Sequence, residues 1–138
     1  MSDEKSPAPS SPEHLLGDLE AAIMQVVWAR GEVTVRAVRD ALAPTRALAY
    51  TTVMTVMSRL AQKGILVTRK QGKTYYYRAA APTPDAFMSQ RAEQAVNKVL
   101  AIYGDVAIAQ FLRAMHDVDP ARLAAVQVLL NQEMHNEQ

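Results

Sequence analysis

The sequence predicts a mainly α-helical chain in which three helices and a β-hairpin are followed by three further helices. Three observations carry that expectation. Residues 49–63, AYTTVMTVMSRLAQK, place Val53, Val56, Met57 and Leu60 at the i, i+3, i+4, i+7 spacing of one helical face. Two runs rich in Ile, Val, Thr and Tyr, ILVTRK and TYYYRAA, flank Gln71-Gly72-Lys73 as the arms of a hairpin flank its turn. Past residue 82, Thr83-Pro84 and Asp119-Pro120 repeat the signal of a capping residue followed by proline at the first helical position.

Residues 1–13 are Ser/Pro-rich and too polar to bury anything, so a disordered tail is expected there. In GDLEAAIMQVVWARG, Leu19, Ile23, Val26, Val27 and Trp28 form a broad apolar stripe, Asp18 stands where an N-cap belongs and Gly31 ends the helix. Trp28 is expected in the core. Thr34 can cap a second helix whose inward positions are Val35, Val38 and Leu42, with Arg36 and Arg39 on its outer face and Pro44 as its stop. The loop PTRALA then leads to the third helix, which Gly64 closes. This order matches a helix-turn-helix with its third helix in the recognition position. The hairpin that follows stands where a wing would. The predicted fold is therefore a winged helix-turn-helix, three helices plus a β-hairpin wing, over residues 14–81.

Residues 82–138 change character. A helix over PDAFMSQRAEQAVNKVLAIY, about 30 Å long, carries an apolar stripe of Phe87, Met88, Ala92, Ala95, Val99 and Ile102, and ends at Gly104. VAIAQFLRAMH and ARLAAVQVLLNQEM supply two more amphipathic helices. Three helices of this size form a marginal core alone. Docking on the chain's own N-terminal domain would relieve this, and so would exchange with a second copy; a symmetric dimer is the commonest arrangement. The residues expected to dimerise are Phe87, Val99, Ile102, Ile108, Phe111, Leu112, Leu123, Val126 and Leu130. Such a dimer would set two recognition helices roughly 34–36 Å apart, one DNA turn.

The overall net charge of +1 hides an asymmetry. Residues 15–80 hold ten Lys/Arg against four acids, while residues 81–138 carry a net −3 and residues 1–14 a net −2. A basic body with acidic ends points to a localised polyanion partner. The third helix agrees. Opposite its apolar face lie Thr51, Thr52, Thr55, Ser58, Arg59 and Gln62, with no acid in the run. These side chains can donate to phosphates or base edges, although a half-buried helix facing only water has the same pattern.

The expected partner is double-stranded DNA. Thr51, Thr52 and Thr55 are placed to meet bases or phosphates, with Met54 as an apolar contact and Tyr50 anchoring the helix start. Arg46, Arg59, Arg69, Lys70 and Lys73 are the phosphate candidates, with a structural salt bridge as the competing role of Arg59 and the last three gathered near the hairpin tip. Tyr75 and Tyr77 share one face of the hairpin and are expected in the core rather than at the interface.

Other classes fare badly. Cysteine is absent, which removes disulfides, thiolate metal sites and a Cys nucleophile. His14, His116 and His135 have no metal-ligand spacing, and no Gly-rich phosphate loop or nucleophile motif is present. No enzyme activity, cofactor or metal is expected. No apolar run approaches the ~20 residues of a membrane span and the N-terminus lacks signal-peptide regions, so a cytoplasmic protein without membrane insertion is expected. The alternatives are a winged helix that binds another protein, or a non-specific DNA binder; the acid-free third helix and basic hairpin argue against the first.

With these elements placed, GDLEAAIMQVVWARGEVTVRAV, AYTTVMTVMSRLAQKGIL and the Gly72–Tyr77 hairpin resemble the penicillinase-repressor (BlaI/MecI) family of winged-helix transcription factors. The resemblance is strong over residues 15 to about 80 and looser through the C-terminal helices. It implies repression from dyad operators of β-lactamase, cell-wall-related or other stress genes, and an intertwined homodimer. It also implies, for many members, relief by a membrane-bound sensor protease that cuts the dimerisation region. Where cleaved members have an Asn-Phe bond, this chain has Gln110-Phe111, a departure that puts cleavage and its inducer in doubt. The cysteines of the copper-responsive branch are missing, which excludes copper(I)–thiolate sensing.

Overall fold

The computed structural model describes residues 11–136. A 3-10 turn, Pro12–His14, precedes α1 (Asp18–Arg30), α2 (Val35–Leu42) and α3 (Tyr50–Gln62). Strands β1 (Leu66–Gln71) and β2 (Thr74–Ala79) pair antiparallel, and α4 (Pro84–Tyr103), α5 (Asp105–Met115) and α6 (Pro120–Asn136) complete the chain. The tail expected over residues 1–13 lies outside the described residues as far as residue 10. Its end is ordered: Pro12 opens the 3-10 turn, is buried, and packs beside α1.

Short-range chemistry explains most boundaries. Thr34 Oγ1 accepts the Ala37 N–H at 3.1 Å to start α2, and Thr83 Oγ1 accepts the Ala86 N–H at 3.0 Å to start α4. Asp119 Oδ1 accepts from Ala121 at 3.1 Å at the head of α6. At α1 the expected cap is corrected. Gly17 is the N-cap, and its N–H donates to Glu20 Oε1 at 2.9 Å, the reach-back half of a capping box. Asp18 thereby becomes the first helical residue.

The Gly17 bond, ahead of the Lys63 ammonium at 3.1 Å, holds the Glu20 carboxyl below its ordinary value of 4.5. A folded pKa below the unfolded one gives stabilisation that is present above the ordinary value and lost as pH falls through the depressed one. The unfolding midpoint is therefore expected to fall more steeply below pH 4.5 in the wild type than in Glu20→Gln. Parallel curves for the two proteins would remove Glu20 from the account.

The chain forms two compact units whose boundary falls within α4, one unit ending at Ala92 and the other beginning at Glu93. In the first unit, Ile23, Met24 and Val27 of α1, Val38 of α2, and Val53, Met57 and Leu60 of α3 are packed out of solvent with Leu66. Trp28 is half-buried at the edge of this core, its Nε1–H donating to Ala81 O at 2.9 Å. Phe87 corrects an expectation. Placed on a dimer surface by its helical period, it is 4% exposed in the core of the first unit, its ring 5.7 Å from that of Trp28. An apolar stripe has the same period whether it meets its own domain or a second copy. The first turn of α4 meets its own domain.

The second unit has almost no interior. Ala107 is its buried residue on α5, and no described side chain of α6 is buried. Val99 is half-buried, while Ile102, Ile108, Phe111, Leu112, Leu123, Val126 and Leu130 are exposed. Gln110 and Phe111 lie in the middle of α5, both exposed. Among the described residues, no helix is long and apolar enough to cross a membrane.

Candidate nucleic-acid interface

α3 is held in place from beneath. Its opening Tyr-Thr-Thr-Val is rich in aromatic and β-branched residues, which are indifferent helix formers, so burial of Val53, Met57 and Leu60 supplies the stability. Its N-cap, Ala49, offers no side-chain acceptor, and the first turn holds no acid. The amide end of the helix, with its partial positive charge, is thus presented without an internal carboxylate. Tyr50, Thr51, Thr52, Met54, Thr55 and Arg59 are all exposed, with Ser58 half-exposed. The spacing of Thr51, Thr55 and Arg59 puts two hydroxyls and a guanidinium in one row along the helix.

The hairpin is joined to the helical body at its base. β2 lies between β1 and Val33: Thr68 pairs with Tyr77, and Tyr77 exchanges backbone hydrogen bonds of 2.9 and 2.7 Å with Val33. In the sequence Val33 is only part of a short β-branched stretch. A single bridging residue has no periodicity to announce it. At the far end Gln71 pairs with Thr74, leaving Gly72-Lys73 as a two-residue turn. Gly72 has φ +63°, which glycine supplies without the clash a side chain would meet.

The expected tyrosine pair divides. Tyr77 is buried, but Tyr75 is 50% exposed and so is not a core residue. The hairpin extends past the helices that cover Tyr77, so a shared strand face becomes wet toward the tip. Lys70 Nζ lies 5.4 Å from the Tyr75 ring centroid, a cation–π pair at the exposed end.

The candidate phosphate-binding cations have unequal surroundings. Lys73 stands at the turn and, among the described residues, has no ion-pair partner within the chain. Arg59 projects from α3 with Glu20 near enough for its charge to be felt there. Arg46, in the loop before α3, pairs with Asp18 at 2.9 Å. Arg69 is half exposed, and each of its three nitrogens donates one hydrogen bond. Its Nε and one terminal nitrogen donate to the two Glu32 oxygens at 3.0 and 2.7 Å, and the other nitrogen donates to Gln71 Oε1 at 2.7 Å. Its guanidinium also lies 4.6 Å from the Tyr76 ring centroid. This fork depresses the Glu32 carboxyl below its ordinary value and raises Arg69 above its own, the shared hydrogen bonds being the leading cause of each. Sequence reasoning misses Glu32, since a pair 37 residues apart leaves no local pattern.

The sequence profile of the family described as penicillinase repressor matches residues 16–132. The transcriptional regulator BlaI of Mycobacterium tuberculosis is 49% identical over 63 residues, which make up 45% of this chain and 46% of that protein. An uncharacterized 16.5 kDa protein of Latilactobacillus sakei is 37% identical over 67 residues, 49% of this chain and 46% of that one. The chain thus spans about half the length of the relatives it matches. Among solved structures, the DNA-binding domain of the repressor BlaI aligns with 52% of this chain and 85% of that one, at 26% identity and a TM-score of 0.44.

Proposed function

The chain belongs to the penicillinase repressor family, and from that premise we propose that it is a sequence-specific DNA-binding transcriptional repressor acting as a homodimer on an inverted-repeat operator. The observation that carries the reading is the exposed, acid-free face of α3, with its amide end open and the Lys70–Lys73 hairpin tip following it in the chain. In the proposed complex, α3 enters the major groove through its N-terminal half. Thr51, Thr52 and Thr55 offer hydroxyls to base edges and methyls to thymine, and Met54 adds an apolar contact. Tyr50, Arg59, Lys70 and Lys73 meet phosphates.

The many large apolar side chains exposed on α5 and α6 support the dimer, because such side chains are more often covered by a partner than left together in water. Ile102, Ile108, Phe111, Leu112, Leu123, Val126 and Leu130, with Val99, are the residues assigned to it. The genes controlled are those the family implies, β-lactamase, cell-wall-related or other stress genes, in the cytoplasm. Release by a sensor protease is weaker here. Gln110-Phe111 lies within a hydrogen-bonded helix that must open locally before a protease can take it.

Two substitutions separate base reading from backbone contact. Thr55→Ala is expected to change the preferred base at one position of each half-site, whereas Lys73→Ala weakens all duplexes about equally and flattens the salt dependence by about one unit of slope. Binding titrations on operator variants over a salt series make the distinction. Uniform loss for Thr55→Ala would remove it from the base-reading set.

A further inference from the structure

Arg69 is one of three cations on the hairpin strands, with Lys70 and Arg78, and each of its three nitrogens already donates to a side chain of the protein. A guanidinium has five N–H donors in a rigid fork. Here Glu32 takes two nitrogens in a bidentate pair, Gln71 takes the third, and Tyr76 lies against its flat face. Glu32 belongs to the turn between α1 and α2, next to Val33, whose backbone is bonded to β2. The carboxylate therefore fastens the hairpin to the helical body one register position beyond that backbone bridge, at the level of Arg69 and Tyr76.

Resting on the DNA-binding reading above, we infer that Glu32 is a positioning residue: it withholds Arg69 from the DNA backbone and fixes the reach of the hairpin. A phosphate and a carboxylate compete for the same fork. Phosphate contacts raise affinity for every sequence alike, so an arginine held by an internal carboxylate lowers the affinity for all duplexes together and leaves base readout untouched. The Lys70 and Lys73 ammonium groups beyond the clasp are left as the hairpin's phosphate contacts, held at a set distance from the helical body.

A double-mutant cycle on the full chain tests this, with a random-sequence duplex as probe and binding followed over a salt series. Glu32→Ala is expected to steepen the slope of log K against log salt by about 0.9, one added phosphate contact, equivalent to about a 3- to 4-fold larger loss of affinity between 50 and 200 mM salt. Arg69→Ala alone is expected to leave the slope unchanged, while Arg69→Ala in the Glu32→Ala background removes the added 0.9. Trp28 fluorescence shows that each variant is folded. Overturning results are an unchanged slope for Glu32→Ala, or an equal effect of Arg69→Ala in both backgrounds. The second outcome would make the clasp a matter of net charge alone. A wild-type chain that binds no duplex would instead sink the DNA-binding reading, and this inference with it.

Discussion

Replacing Leu112 with glutamate is expected to convert the protein to a monomer and to lower its affinity for a full operator by about 10²–10⁴-fold. Leu112 is 60% exposed on α5, in a unit with Ala107 as its buried residue on that helix. Because the leucine is exposed within one chain, and glutamate is as good a helix former, the substitution costs a monomer little. In a dimer interface it would bury a carboxylate without a partner, which protein interiors do not accept. The loss in DNA binding comes through linkage. In the proposed dimer, two α3 helices tied together meet the second half-site intramolecularly, and the tie is what the charge would break. Sedimentation gives the mass and a titration on a full operator gives the affinity. A Leu112→Glu protein that remains dimeric at micromolar concentration would remove this face from the interface.

Phe87→Ala is expected to do the opposite: leave the exposed apolar side chains of α5 and α6 alone and destabilise the first unit by about 3–5 kcal/mol. Phe87 is almost fully buried against Trp28, whose indole is tied to Ala81 O, and the Arg91 guanidinium lies 5.3 Å from the Phe87 ring centroid. Truncation removes one partner of an aromatic pair and leaves a cavity that the Trp28 hydrogen bond discourages from closing. For a unit of this size, each kcal/mol shifts the unfolding midpoint by about 4–8 °C, so a drop on the order of 12 °C or more is expected. Trp28, the single tryptophan of the chain, reports that unfolding by its fluorescence. A shift of only a few degrees would take Phe87 out of the core and return it to the exposed stripe that its helical period suggests.

Phe87 shows where sequence reasoning stops. The helices themselves were legible, because Thr34, Thr83 and Asp119 each act on an amide two or three residues away, and such short-range chemistry leaves a local pattern. The exposed face of α3 was legible for the same reason, its periodicity assigning Val53, Met57 and Leu60 inward and the threonines outward. What each surface meets is a different kind of fact. Phe87 with Trp28, Glu32 with Arg69 and Asp18 with Arg46 join residues tens of positions apart, and no spacing rule connects them. The consequence for the candidate site is specific. Sequence supplied five candidate phosphate-binding cations, and the fold ties two of them, Arg46 and Arg69, to carboxylates of its own. Tyr75 failed for a related reason, since alternation along a strand says which face a side chain takes but not how far the covering layer extends.

The most direct measurement is selection by the purified chain from random double-stranded DNA at about physiological salt, followed by sequencing of what is retained. The expected result is enrichment of an inverted repeat whose half-sites lie about one helical turn apart, roughly 10–10.5 base pairs centre to centre. Recovery of no motif, with binding that vanishes on a modest rise in salt, would mean that the basic face attracts any polyanion and that α3 reads no sequence.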